Sequence, residues 1–208
     1  PGIVTLSDIL KRALSPDFDR DHESFLIPSA SGPCRFGQYN RLYRIALDQI
    51  GLQDVPVITL DQTSNWGQHL TNLGRGYRLT TWRASVLLDL MQKMQLERRP
   101  YEVNPGETDR LYGELLTELT HRVEREGDGF QDFARMARGE LAAVKIDRDV
   151  EKPRVGLVGE IFVRSNEFAN NSLIRNREQL GARCVMPPIQ EWFNYTEYQR
   201  LRRSRLRI

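Results

Sequence analysis

Cysteine, histidine and long apolar runs are all scarce in this chain of 208 residues. Its two cysteines, Cys34 and Cys184, lie far apart and do not suggest a disulfide framework, so we expect a reducing, cytoplasmic setting. The three histidines share no spacing typical of a zinc site. No apolar run is long enough to cross a bilayer, and no signal-peptide pattern is present. The sequence therefore predicts a protein without a membrane partner.

An excess of charge of one sign is also missing, because 30 Lys and Arg oppose 28 Asp and Glu to give a net charge of +2. This balance is unlike that of a nucleic-acid-binding polycation, and no nucleic-acid partner is expected. Arginines do gather at the C-terminal end, where Leu201 and Leu206 lie among them at a spacing that suits an amphipathic helix. We interpret them as a solvated or partner-facing helix face, with nucleic-acid binding as the alternative; they are Arg200, Arg202, Arg203, Arg205 and Arg207.

Helix and strand patterns alternate in the first part of the chain, residues 1–62. Apolar residues recur at helical spacing over residues 3–13 and again over residues 39–50, where Gly51 is placed to end the helix. Short apolar runs at residues 25–27 and 55–60 predict two strands, the first ending at Pro28. Strand, helix and strand in this order predict a parallel pair, as the start of a first α/β unit.

Residues 63–150 are predicted to form a helical segment. The apolar patterns indicate three helices with short connections, over residues 82–96, from about residue 105, and over residues 130–144. The second of these begins at Asn104-Pro105-Gly106-Glu107, with Pro105 at the first helical position. The side chains expected to face the core of the third helix are Phe133, Met136, Ala137 and Leu141.

The strand–helix pattern returns in residues 151–208, after a charged stretch at residues 145–152 that is expected to be a domain junction. Strands are predicted at residues 155–159 and 184–186, and a last helix from about Gln190. Between the strands we expect one helix capped by Asn166, with Phe168, Leu173, Ile174 and Leu180 as its apolar positions. The predicted fold is thus α/β, with parallel-sheet, Rossmann-like strand–helix units flanking a helical segment, as two lobes or one continuous sheet.

Cys34 is the first residue that suggests chemistry. It follows a predicted strand and a Gly-Pro turn and precedes a predicted helix, where amide donors and Arg35 favour a thiolate. Such a thiolate is suited to ligate a metal centre or to react covalently. The alternative is a small residue in a loop that only makes the turn.

The second candidate is the segment from Gly159 to Asn166, which follows a predicted strand. Its backbone amides are placed to face an anion, and Glu160 and Arg164 would be polar groups at the carboxyl end of that strand. A single glycine turn is a weak motif. The alternative is a loop in which Ser165 or Asn166 is an ordinary helix cap.

Two stretches together resemble signatures of the 2-hydroxyglutaryl-CoA dehydratase-related proteins. They are residues 32–39 (GPCRFGQY) and residues 158–166 (VGEIFVRSN), the latter extended to Asn170-Asn171. The closer similarity is to the CoA-substrate-specific enzyme activases, in which ATPase modules are fused to dehydratase-like α/β domains. Residues 106–109 (GETD) and 187–192 (PPIQEW) add to the resemblance, which covers the chain from about residue 25 onward.

The resemblance implies an oxygen-sensitive, cytoplasmic iron–sulfur system of anaerobic metabolism. In such systems ATP hydrolysis in an activator drives an electron into a dehydratase that removes water from a 2-hydroxyacyl-CoA. Cys34 would then be the one ligand candidate for a [4Fe–4S] cluster in the full-length parent protein. Since such a cluster normally takes four thiolates, its other ligands are expected outside this chain. The loop facing the same cleft would be formed by Gly159, Glu160, Arg164, Ser165 and Asn166.

We therefore interpret the chain as the dehydratase-like portion of a 2-hydroxyacyl-CoA dehydratase or activase-type redox protein. The ends of the sequence suggest a fragment, which is expected to be inactive alone. Its expected partners are the remainder of the parent chain or a dehydratase or ATPase activator, together with an acyl-CoA. The alternative is a non-catalytic α/β binding or assembly module. The dehydratase interpretation predicts that Cys34 and the loop at residues 159–166 lie at the carboxyl ends of strands and face one cleft.

Overall fold

A computed structural model describes residues 2–29, 35–61, 76–125 and 128–205. The chain divides into two compact units, Pro1–Arg75 and Gly76–Ile208. Most of the described residues are helical, and each unit contains one small parallel sheet of two strands. In the described ranges, every helix is too short or too polar to cross a membrane.

The first unit contains helix α1 (Gly2–Ala13), strand β1 (Phe25–Ser29), helix α2 (Tyr39–Gln49) and strand β2 (Val57–Asp61). A short 3₁₀ helix, Arg35–Gln38, leads into α2. The two strands pair in parallel with Phe25 opposite Val57, so the predicted parallel pair is confirmed. The first strand runs one residue past Pro28, where the prediction ended it. Cys34 lies outside the described residues.

Arg44 joins the last turn of α2 to the loop that leads into β2. Arg44 donates from Nε to the Asp48 carboxylate at 2.6 Å and from Nη1 to the carbonyl oxygen of Val55 at 2.6 Å. Its Nη2 donates to the carbonyl oxygen of Leu52. Gly51, which follows the helix with φ at +83°, supplies the left-handed backbone that was expected to end it.

Three helices form the main core of the second unit. They are α3 (Tyr77–Arg98), α4 (Glu107–Glu124) and α5 (Phe130–Ala143). A 3₁₀ turn, Arg99–Tyr101, follows α3. The three predicted helices are therefore confirmed, while the predicted start of the helical segment at residue 63 lies outside the described residues. The side chains that form its buried cluster are Leu87, Met91, Leu115, Leu119, Phe130, Phe133, Ala137 and Leu141.

Two details of these helices differ from the prediction. Met136, expected in the core, is exposed, whereas Phe130 one turn and a half earlier is buried. Pro105 does not begin α4; the helix begins at Glu107 after Gly106, whose φ is +87°. The first amides of α4 are capped instead from upstream, because the Glu102 carboxylate accepts from Gly106 N at 2.6 Å and from Thr108 N at 2.8 Å.

The remainder of the second unit contains strand β3 (Arg154–Gly156), helix α6 (Ile161–Ser165), helix α7 (Leu173–Gln179), strand β4 (Arg183–Val185) and helix α8 (Ile189–Arg205). The two strands pair in parallel, with Val155 opposite Cys184. The last helix is confirmed. Both described sheets have two strands, so larger Rossmann-like units stay a prediction.

The prediction of a single helix between β3 and β4 is wrong. Two short helices form instead, and Asn166 begins neither, because its side-chain oxygen accepts from Ala169 N in the turn between them. Phe168, expected to be an apolar contact, is 89% exposed. Asn171 and Ser172, both with positive φ, break the helical path between the two pieces.

An ion pair and several hydrogen bonds to the backbone attach this strand-containing part to the three-helix core. Arg183 of β4 donates from Nη2 to Glu97 of α3 at 3.0 Å. The Asp89 carboxylate of α3 accepts from the backbone amides of Ile189 and Gln190, at 2.9 Å each, and so caps α8. Residues 145–147 lie beside residues 101–103, where Val103 N donates to the carbonyl oxygen of Lys145 at 2.9 Å.

Candidate functional site

A cavity of about 390 Å³ lies within the second unit, between the end of α3, the start of α4 and the α6–α7 segment. Three arginines line it, Arg99, Arg164 and Arg175, together with Asp109 and Glu167 as the acidic residues. Gln92, Gln95 and Asn170 add amide groups. A concave site with a few converging polar groups is the usual form of a ligand pocket, and the cations here favour an anion.

Arg164 is the arginine in this cavity whose hydrogen bonding is incomplete. Its Nε is buried, and no described residue accepts a hydrogen bond from it. A buried donor without a partner costs free energy, more so on a charged group. A hydrogen-bond acceptor on a ligand in the cavity would remove that cost, so Arg164 is the side chain best placed to bind a ligand.

The loop holds Arg164 by hydrogen bonds from its own polar side chains. The Glu160 carboxylate accepts from Val163 N at 2.8 Å and so caps α6. The side-chain amide of Asn170 donates to the carbonyl oxygens of Val163 and Arg164, both at 3.0 Å, while its oxygen accepts from Leu173 N at 3.1 Å. The backbone on both sides of Arg164 is thereby fixed, and so is the start of its side chain.

Arg99 forms the rigid wall of the cavity. Its Nε and Nη2 donate to the two oxygens of Glu178 at 2.8 and 3.0 Å, the forked geometry that arginine makes best with a carboxylate. Its Nη1 donates to Asp109 at 2.9 Å. The side chains of Arg99 and Glu178 are only 9% and 10% exposed, so the pair lies in a largely dry setting.

Asp109 connects Arg99 to a second arginine. Its Oδ2 accepts from Arg175 Nη1 at 2.6 Å, and its Oδ1 also accepts from Gln95 Nε2 at 2.9 Å. Partial burial by itself raises the pKa of Asp109, but the hydrogen bonds from Arg175 and Arg99 outweigh it and leave that pKa below its usual range. Burial opposes the charge of Arg99, yet its bonds to Glu178 and Asp109 raise its pKa. Both groups are therefore charged at neutral pH.

The predicted site residues of the segment at residues 159–166 do not all line the cavity. Arg164 and Ser165 line the cavity. Glu160 and Asn166 accept hydrogen bonds from the loop's own backbone, at Val163 N and Ala169 N. Gly159 has φ at +134°, a backbone conformation that residues other than glycine rarely adopt. The amide at Val163 faces the Glu160 carboxylate and not an external anion.

A second cavity, of about 410 Å³, lies beside β3 and β4. Its walls are mainly apolar, and include Leu157, Val185, Pro187 and Pro188. Cys184 also lines it, but the thiol is buried and donates to the carbonyl oxygen of Ile174 at 3.8 Å. Burial, followed by the nearby charge of Glu178, raises the pKa of that thiol, so Cys184 is a core residue.

The comparisons with known proteins add no family. No family model, no curated protein and no solved structure matches this chain. What the cavity can do is therefore argued from its own geometry.

The described residues do not provide a site that fits an iron–sulfur cluster. The chain has two cysteines, and the described one, Cys184, is enclosed in β4 with its thiol protonated. Within the ranges that the structure describes, no group of three His, Cys, Asp or Glu side chains is placed to hold a metal ion. The relation of Cys34 to the loop at residues 159–166 stays a prediction.

Several residues of the cavity were not identified from the sequence. Arg99, Asp109 and Arg175 are separated by other elements and belong to no common motif. Two stretches of the family resemblance contain residues of this cavity: residues 106–109 (GETD), which end in Asp109, and Asn170-Asn171. Asn170 turns out to hold the backbone of Arg164.

Proposed function

We propose that this chain is the dehydratase-like portion of a cytoplasmic 2-hydroxyacyl-CoA dehydratase or activase-type redox protein. Within it, the cavity beside Arg164 binds an anionic group of the ligand. The observation that carries the binding proposal is the buried, unpartnered Nε of Arg164 in a cavity that two further arginines line. The family part of the proposal rests on the resemblance of the two loops.

The pairing of charges in the cavity supports an anion at Arg164. Arg99 is already neutralised by Glu178 and Asp109, and Asp109 is shared with Arg175. For Arg164 no ion pair with a described residue is formed. Glu167 also lines the cavity and Glu178 lies behind Arg99, so three arginines meet three carboxylates and the charges balance in number. The case for an anion rests on the pairing, because Arg164 is the lining arginine that no described carboxylate pairs. The free guanidinium is therefore the natural counter-ion of the ligand.

Calorimetric titration with acetyl-CoA tests the binding proposal. Arg164→Gln should weaken binding at least tenfold, because a charge-assisted hydrogen bond contributes about 1.5–3 kcal/mol. Arg135→Gln is the matched control, since Arg135 is a well-exposed arginine paired with Asp132 on α5, and it should leave the affinity unchanged. Equal affinity in the wild type and Arg164→Gln would overturn the proposal.

The redox part of the proposal needs the parent protein. Iron analysis and visible absorbance after anaerobic purification should detect a [4Fe–4S] cluster whose ligands include Cys34, with the remainder supplied from outside this chain. Cys34→Ala in that protein should lower the iron content, whereas Cys184→Ala should not. A colourless, iron-free parent would remove the cluster from the proposal and leave only the anion site.

The second candidate function is a non-catalytic binding or assembly module. Helix α8 favours it, because Tyr195, Tyr198 and Leu201 are all more than half exposed there. Apolar and aromatic groups exposed in a row along a helix are more typical of an interface than of a solvated face. This candidate predicts partner binding that Tyr198→Ser weakens while acetyl-CoA binding is absent.

A further inference from the structure

The two cavities of the second unit adjoin each other. Leu96 and Met186 line both of them, so these two side chains form the common wall. Leu96 is buried, whereas Met186 is only half-buried. Methionine has three rotatable bonds and adapts easily to a neighbour, so this wall is one that a ligand can displace.

The two cavities differ in chemistry. The first holds the unpaired Arg164 with polar neighbours, whereas the second is lined mainly by apolar side chains and by the backbone of Gly156. Four charged residues also line the second cavity, and their charges balance: Lys93, Glu97, Arg183 and Glu191. Arg183 donates from Nη2 to Glu97 at 3.0 Å, although its buried Nε has no described acceptor. The first cavity therefore offers an arginine without an ion pair, whereas the second has mainly apolar walls and balanced charges.

We propose that the two cavities together bind a single-chain amphiphile, with its anionic head at Arg164 and its hydrocarbon chain in the second cavity. This inference rests on the proposed function, because it uses the same anion site and adds the class of ligand. Charge complementarity sets the orientation of the ligand. Moving the hydrocarbon chain from water to the apolar walls lowers the free energy in proportion to the apolar area that is buried.

Three probes separate the head from the chain: acetate, octanoate and octanol. Burying a methylene is worth about 0.8 kcal/mol, which is about fourfold in affinity per group. Octanoate should therefore bind at least a hundredfold more tightly than acetate in calorimetric titrations. Octanol has the same chain without the charge, and it should bind at least tenfold more weakly than octanoate.

Substitutions locate the two ends of the bound probe. Arg164→Gln should weaken octanoate binding at least tenfold but leave the affinity for octanol unchanged. Arg164→Lys should restore part of the affinity for octanoate. Gly156→Leu should weaken the binding of octanoate and of octanol at least tenfold, while the affinity for acetate stays the same. A Cβ added at Gly156 meets no atom within 4 Å, so the new side chain extends into open space.

The control for the glycine substitution is Gly113→Leu, on an exposed face of α4 that also has no atom within 4 Å of an added Cβ. It should not change the affinity for any probe. Circular dichroism of all variants checks that the helices are retained.

The outcomes distinguish the two proposals. If acetate and octanoate bind equally and Gly156→Leu has no effect, the amphiphile is excluded while the anion site stands. If neither probe nor acetyl-CoA depends on Arg164, the anion site fails and the amphiphile proposal fails with it. If octanol binds as tightly as octanoate, the cavity takes a neutral apolar ligand and the proposed orientation is wrong.

Discussion

At the scale of single residues, the Arg99–Glu178 pair is the most consequential contact in the second unit. Both side chains are largely buried and joined by two hydrogen bonds. Removing one partner leaves a charge in a dry site, which costs about 3–5 kcal/mol. We therefore expect Glu178→Gln to lower the free energy of unfolding by about 3 kcal/mol in urea denaturation. The exposed pair Arg110–Glu114 provides the control, and Glu114→Gln should change stability by less than about 1 kcal/mol.

The lowered pKa of Asp109 predicts how the free energy of unfolding depends on pH. Its pKa is lowered in the folded protein, because the hydrogen bonds from Arg175 and Arg99 outweigh partial burial. A lowered pKa means that the folded state holds the carboxylate, so its contribution is complete above the unfolded pKa of about 3.9 and is lost as the pH falls through the folded value. The difference in unfolding free energy between the wild type and Asp109→Asn should be constant above about pH 5 and shrink below about pH 4. A difference that grows towards low pH would contradict this.

At the scale of elements, α4 depends on a cap from outside its own sequence. The Glu102 carboxylate accepts from two amides at the start of the helix, those of Gly106 and Thr108. Loss of a helix cap typically costs about 1 kcal/mol. Glu102→Ala should therefore lower the unfolding free energy by about that amount. Asn104→Ala, which removes only a solvent-exposed hydrogen bond to the Glu107 side chain, should stay within about 0.5 kcal/mol of the wild type.

The α6–α7 segment shows why local patterns failed between the second pair of strands. Apolar residues at positions 168, 173, 174 and 180 fit a helix by spacing, but the side chains of Asn166 and Asn170 accept hydrogen bonds from the backbone amides of Ala169 and Leu173. Short polar side chains compete with a helix in this way. Phe168 is left exposed as a result. Asn170 also donates to the carbonyl oxygens of Val163 and Arg164, so the residue that helps to break the helix fixes the backbone of the site.

At the scale of the whole molecule, the second unit contains its own core. The main buried cluster lies entirely between Leu87 and Leu141, on α3, α4 and α5. Residues 76–208 should therefore fold when expressed alone, with a single cooperative urea transition and a helical circular dichroism spectrum. Non-cooperative unfolding of that piece would show that its stability depends on the first unit.

Elements that bury a regular apolar stripe can be predicted from the sequence alone. The helices α1 to α5 and α8, and both pairs of parallel strands, follow from periods of 3.6 residues or from short apolar runs, because burial of a repeated pattern is a local signal. Gly51 likewise has positive φ at the helix end expected there. The buried state of Cys184 was also predictable from its apolar neighbours.

Only the tertiary structure decided the site. Arg99, Asp109, Arg164 and Arg175 come from separate elements, and nothing in their spacing says that they share a cavity. Which arginine is paired and which is free depends on distances of about 3 Å between side chains that are far apart in sequence. Charge compensation is a property of the packed arrangement, and it alone leaves Arg164 as the cation available to a ligand.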